Sequence, residues 1–126
     1  EVYVSETGAA LVAEGGAKIL PVTDSEAPSA KNLVVVGGSC VNSVAASLLG
    51  GALCGADFEA KTGVGAGSFL IETFARDGGA VATLVAGYNA EDTTNAAKYL
   101  TTQTVDTTVG KAYKGTSATA ATLVVA

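Results

Sequence analysis

The sequence contains no histidine, no methionine and no tryptophan, and only two prolines and two cysteines among its 126 residues. Without histidine, the chain lacks the usual general base of serine and cysteine nucleophiles and the commonest zinc ligand. Charged residues make up only 15% of the chain, whereas 48% of residues are hydrophobic. Small uncharged residues must therefore form much of the surface, which suits a subunit largely covered by copies of itself.

Charge and hydropathy exclude two further classes of protein. Twelve acidic residues outnumber seven basic ones, so the net charge is −5, and no basic run offsets it locally. Such a surface repels a polyanion, so we expect no nucleic-acid partner. No stretch reaches the roughly 18 consecutive apolar residues of a membrane helix, so we expect a chain that does not span a membrane.

The missing methionine and the two cysteines indicate export. Because Glu1 is not a translation start, we expect that a secretory signal was removed, or that the domain was cut from a longer polypeptide. In an oxidising compartment two cysteines fit one disulfide, Cys40 to Cys54, which closes a loop of ~15 residues. A zinc site would require four ligands, and a nucleophilic Cys40 at a helix start would require a general base. A structural disulfide is therefore the favoured interpretation of the two cysteines.

Two similar segments predict two strand-to-helix units, "LVVVGGSCVNSVAASLLGGALCG" at 33–55 and "AVATLVAGYNAEDTTNAAKYL" at 80–100. Each apolar strand runs into a glycine, Gly37 or Gly87, and a helix-cap candidate, Ser39 or Asn89, follows two residues later. Strands without polar alternation are typical of parallel sheets covered on both faces. We therefore predict one α/β domain over residues 1–126, with a mainly parallel, Rossmann-like sheet, flanking helices and antiparallel terminal strands. The first helix should pack through Val41, Val44, Ala45, Leu48 and Leu49.

The remaining segments give less regular patterns. We predict strands at 2–4, 9–13 and 17–22, a loop at 23–32 and a surface loop at 52–67. The segment "SFLIETFARDGG" places Phe69, Leu70, Thr73 and Phe74 on one helical face, which favours a second helix with a strand as the alternative. The tail at 101–126 holds eight threonines and ends in "TLVVA", so it should form one or two strands at a sheet edge.

Candidate chemical sites are few. The turn "GGSCVN" lacks the lysine of a phosphate loop and the three glycines of a dinucleotide fingerprint. It is therefore interpreted as a tight turn with only the generic anion affinity of a helix start. Three acidic pairs lack the spacing of a calcium loop. One of them, Glu91 with Asp92, fits the role of helix-start charges. We therefore expect no catalytic residue, no cofactor and no metal. The pairs are Asp24 with Glu26, Asp57 with Glu59, and Glu91 with Asp92.

Several segments together resemble the archaeal S-layer (surface-layer) protein family. They are "KNLVVVGGSCVNSVAASLLG", the Cys-Gly at 54–55, "VATLVAGYNAEDTTNAAKYL" and "VGKAYKGTS", and the resemblance extends from Asp24 to Thr116. It implies an extracellular, self-assembling coat or filament subunit without catalysis, in which the two cysteines are paired. S-layer proteins of this type are usually several times longer, so this module is expected to form a filament or tube rather than a planar lattice.

The expected function is that of a homopolymeric cell-surface subunit, not an enzyme. Exposed edges at 2–13 or 118–126 would connect the copies, because an edge strand can add to the sheet of a neighbour. A module that anchors to cell-wall polymer or sugar is the alternative, although aromatic residues are only 6% of the chain and no tandem copies follow. The hypothesis of a Rossmann-like enzyme is supported by fold analogy alone.

Overall fold

The computed structural model describes residues 9–13, 20–23, 32–40, 42–76, 79–103 and 105–125. Within these ranges the chain forms seven strands and three helices, and none of those helices has the length and apolarity to cross a bilayer. In chain order the elements are β1 (Ala9–Ala13), β2 (Leu20–Thr23), β3 (Asn32–Val36), α1 (Ser43–Leu49), α2 (Ala56–Thr62), β4 (Phe69–Ala75), β5 (Val81–Gly87), α3 (Ala90–Thr102), β6 (Lys111–Ser117) and β7 (Ala120–Val125).

All of these strands belong to one mixed sheet, in the order β2-β1-β3-β5-β4-β6-β7. Strands β3 and β5 are parallel, with Leu33 aligned with Ala82, and every other pair of neighbours in the described sheet is antiparallel. The predicted mainly parallel, Rossmann-like sheet is therefore wrong.

Strand β4 is the physical reason for that error. Residues 69–75 were predicted to be helical, but they form a strand that lies antiparallel to both β5 and β6. Phe69 and Ile71 point to one face and Leu70 to the other, and all three are buried. Because both faces of this central strand are covered, its apolar residues do not alternate with polar ones, and the period of two is hidden.

Helices cover both faces of the sheet. On one face, called here the α1–α2 face, Ala45 and Leu49 of α1 and Phe58 of α2 pack against buried residues of β3, β4, β5 and β6. On the other, the α3 face, Ala96 and Tyr99 pack against a second buried cluster. The Tyr99 ring lies between two aromatic rings, with centroid distances of 5.9 Å to Phe69 and 6.2 Å to Tyr113.

The two strand-to-helix units are present at the predicted places, with one difference in their caps. Asn89 caps α3 through a reciprocal capping box with Asp92. Helix α1 begins after Asn42 rather than Ser39, because the Asn42 side-chain oxygen accepts from the amides of Val44 and Ala45 at 2.9 and 3.0 Å. Asparagine supplies a good cap acceptor, and Ser39 is engaged elsewhere.

Four further predictions have clear outcomes. The prediction of a surface loop at 52–67 is wrong, since α2 lies within that range. The prediction for the tail is confirmed, because it forms β6 and β7 at the sheet edge. The strand at 9–13 is confirmed as β1, but it is not an edge, because it pairs with both β2 and β3. The strand at 17–22 overlaps β2, which is the edge of the described sheet on that side. The predictions for 2–4, for Val41 and for Asp24 with Glu26 lie outside the described residues.

Candidate functional site

The turn after β3 is fixed by a disulfide and by two hydrogen bonds beside it. Cys40 and Cys54 are disulfide-bonded, as predicted, and their Cα atoms lie 5.5 Å apart. The adjacent Ser39 is 2% exposed; its hydroxyl donates to the Leu53 carbonyl at 3.0 Å and accepts from the Leu53 amide at 2.9 Å. Two consecutive residues of the turn, Ser39 and Cys40, are therefore attached to two consecutive residues, Leu53 and Cys54, of the segment between α1 and α2.

The crevice at the carboxyl ends of β3 and β5 is occupied by the chain itself. Because α1 and α3 leave to opposite faces, this is the position at which open α/β sheets bind ligands. Here the Asp92 carboxylate accepts from the amides of Asn89 at 3.0 Å and Gly67 at 3.2 Å. Tyr88 packs against the core of the α1–α2 face. Gly37, at φ 132°, donates its amide to the Val85 carbonyl at 2.9 Å and so continues the hydrogen bonding between β3 and β5 by one residue.

The acidic pairs within the described ranges lie at helix starts. Glu91 and Asp92 occupy the first turn of α3, as predicted, and Asp57 and Glu59 occupy the first turn of α2. Carboxylates at these positions interact favourably with the positive end of the helix dipole. Across the described part of the chain, no three acidic or cysteine side chains come together in a group that would hold a metal ion.

Strand β7 exposes large apolar side chains at the edge of the described sheet. In the described structure β7 pairs with β6 and with no other strand. Leu123 is 42% exposed and Val124 is 37% exposed, and the strand sequence "AATLVV" contains neither proline nor charge. At the opposite edge of the described sheet, β2 carries Pro21, which lacks a backbone donor.

A cleft of about 360 Å³ adjoins β7 on the α1–α2 face. Its apolar walls include Leu48 of α1, Phe74 of β4, Ala112 of β6 and Val124 of β7. Leu48 and Phe74 are half-buried, so part of each remains available for contact. Five elements contribute to the lining, and the cleft therefore forms only when α1 and α2 pack on the finished sheet.

Three charged side chains line the same cleft, namely Lys61, Glu72 and Lys114. Burial raises the pKa of the Glu72 carboxyl above its ordinary value of 4.5, and the charges of Lys114 and Lys61 oppose part of that rise. The Lys114 ammonium lies at the C-terminal end of α2, because a Cβ atom at Gly63 would come within 3.0 Å of its Nζ. Cations are favoured at that end of a helix.

Sequence reasoning missed this cleft because its charged residues are distant in sequence and Glu72 lay in a segment assigned to a helix. The available signal was a single glutamate inside the apolar run "FLIETFA", since a carboxylate in a central strand needs an opening or a partner. Comparison of the chain with known protein families, curated proteins and solved structures found no match.

Proposed function

We propose that this protein is a structural subunit of an extracellular, self-assembling cell-surface polymer: an S-layer, filament or tube built from copies of this chain. The edge position of β7, which pairs with β6 alone among the described strands, is the observation that carries the proposal. The Cys40–Cys54 disulfide supports an oxidising location, because such bonds persist mainly outside the cytosol. The resemblance of the two strand-to-helix segments to archaeal S-layer proteins supports the same function.

The chemistry of an edge strand explains why β7 supports assembly. An edge strand presents a row of backbone donors and acceptors, and monomeric proteins usually protect such edges with lysine, proline, a bulge or a covering segment. Strand β7 has neither lysine nor proline in its six residues, and the register shift in its pairing with β6 lies at the turn end, between Gly115 and Ser117. The exposed side chains of Leu123 and Val124 add apolar area that a neighbouring strand would bury.

The proposed partner of β7 is strand β2 of the next copy. The two strands lie at opposite edges of the sheet as far as the structure describes it, so a β7-to-β2 contact leaves an unpaired edge at each end of the assembly. A head-to-tail contact of this kind repeats without closing unless its rotation forms a ring, and it therefore builds a filament or tube. Pro21 lies in β2 and has no backbone N–H, so the contact must form without a donor at that position.

Assembly of the oxidised, purified chain tests the proposal. Sedimentation velocity and negative-stain electron microscopy across a wide range of protein and salt concentrations should reveal regular polymers with a constant repeat. A monodisperse monomer throughout that range would contradict self-assembly. A species that stops at the dimer would contradict the β7-to-β2 contact, because pairing of β7 with itself closes after two copies.

A further inference from the structure

We propose that the cleft beside β7 is a binding site for a carboxylated sugar, such as a uronic-acid unit of a surface glycan. Lys61 and Lys114 would bind the carboxylate, Glu72 would accept from hydroxyl groups, and the wall at Phe74 would pack against the sugar ring. The inference stands on the cleft alone and does not depend on polymer formation.

The balance of charge favours an anionic ligand. Two ammonium groups and one carboxylate line the cleft, which gives a local excess of positive charge in a chain whose net charge is −5. The charges of Lys114 and Lys61 both act on the Glu72 carboxyl, but each ammonium group has three donors and one carboxylate cannot use all six of them. Both ammonium groups therefore retain donors for a carboxylate in a partly desolvated site, where charge-assisted hydrogen bonds are stronger than neutral ones.

The remaining polar groups favour hydroxyls near that carboxylate. The Thr62 hydroxyl donates to the Phe58 carbonyl at 2.7 Å and accepts from the Val64 amide at 3.1 Å, so helix α2 already uses it. Glu72 is the other oxygen-bearing side chain of the lining, and as a carboxylate it accepts hydrogen bonds without donating any. A hydroxylated acid complements the two ammonium groups and the Glu72 carboxylate together. A simple fatty acid would leave the Glu72 carboxylate in contact with hydrocarbon.

The shape and walls of the cleft fit a sugar-sized molecule. Its volume of about 360 Å³ lies near the lower end of the range for small-molecule sites, roughly 300–1,000 Å³. Phe74 is half-buried and contributes an aromatic side chain to the wall, and Leu48 and Val124 extend the apolar surface. Sugar rings carry C–H groups on one side and hydroxyls at their rim, so an apolar wall beside charged groups is complementary to both.

Binding of galacturonic acid, galactose and acetate to the isotope-labelled protein, followed by nuclear magnetic resonance, tests the proposal. Galacturonate should shift the amide signals of Thr62, Glu72 and Ala112 saturably, and galactose and acetate should bind about tenfold more weakly. Lys114→Gln should weaken galacturonate binding about tenfold. Lys98→Gln, on the exposed surface of α3, is the matched control and should leave binding unchanged.

Three outcomes would overturn the site. They are no saturable shift with galacturonate, equal binding of acetate and galacturonate, or an unchanged affinity in a folded Lys114→Gln variant. The Leu123→Lys variant, which disrupts the β7 edge, should retain galacturonate binding. Failure of assembly and failure of the sugar site are therefore observed separately.

Discussion

Ser39 and Leu53 lie fourteen positions apart and exchange two hydrogen bonds through one hydroxyl group. The residues that follow them, Cys40 and Cys54, are joined by the disulfide at the same separation. A covalent link and a buried polar link thus hold the turn after β3 against the segment that leads into α2. The α1–α2 layer, and with it one wall of the cleft, depends on this attachment.

Removing the Ser39 hydroxyl should destabilise the fold. Ser39→Ala leaves both backbone groups of Leu53 without their partner, and a buried unsatisfied polar group costs about 1–3 kcal/mol. We expect a loss of that size in the free energy of unfolding measured with urea. Ser47→Ala is the matched control, because the Ser47 hydroxyl bonds to the Ser43 carbonyl at an exposed position, and it should change stability by less than about 0.5 kcal/mol. Equal losses in the two variants would contradict the role of Ser39.

Reduction of the disulfide should lower stability by about 3 kcal/mol, because the bond restricts the unfolded chain across a loop of about 15 residues. Both cysteines are exposed, so a reductant has access without unfolding. Intact-mass measurement should find two hydrogens fewer in the oxidised chain, and urea titration with and without reductant gives the stability difference. A Cys40→Ser, Cys54→Ser double variant should not respond to reductant. A wild-type stability that is insensitive to reductant would contradict this prediction.

Gly87→Ala should be strongly destabilising. A Cβ atom at Gly87 would overlap the Thr93 backbone nitrogen and the Asp92 backbone and Cβ, so β5 and the start of α3 would have to separate. Overpacking of this kind typically costs about 1–3 kcal/mol. Gly38→Ala is the control, since a Cβ there meets nothing within 4 Å and should change stability by less than about 0.5 kcal/mol. A thermal midpoint that falls equally in both variants would contradict the close packing at Gly87.

Glu72 should make stability depend on pH in a defined direction. Its folded pKa is raised by burial, so the folded state binds its proton more tightly than the unfolded chain does. The associated stability is therefore fully present below the ordinary value of 4.5 and is lost as pH rises through the raised value. Glu72→Gln removes this dependence, so the variant should gain stability relative to wild type as pH rises from 4 toward neutral. Parallel urea titrations at several pH values test this, and a constant difference would contradict it.

The sequence was sufficient to predict elements whose signals are local. The glycine turns at Gly37 and Gly87 and the cap at Asn89 follow from residue types at fixed offsets, and the threonine-rich tail follows from strand propensity. Strand β4 was misassigned because its burial on both faces is a property of the finished sheet. The cap at Asn42 was missed because Ser39, an equally good cap, bonds to Leu53 across a loop whose course the sequence does not specify. The cleft is lined by α1, α2, β4, β6 and β7 together and was therefore beyond local reasoning.

The assembly threshold of an edge variant tests the central claim most directly. Leu123→Lys places a charge on β7, whereas Val109→Lys places the same charge on a residue that is 48% exposed but lies outside the edge strand. Loss of one buried leucine contact corresponds to about tenfold or more in the concentration needed for assembly. We predict that Leu123→Lys raises the threshold by that factor in sedimentation and electron microscopy and that Val109→Lys assembles like wild type. Equal thresholds for the two folded variants would contradict assembly through β7.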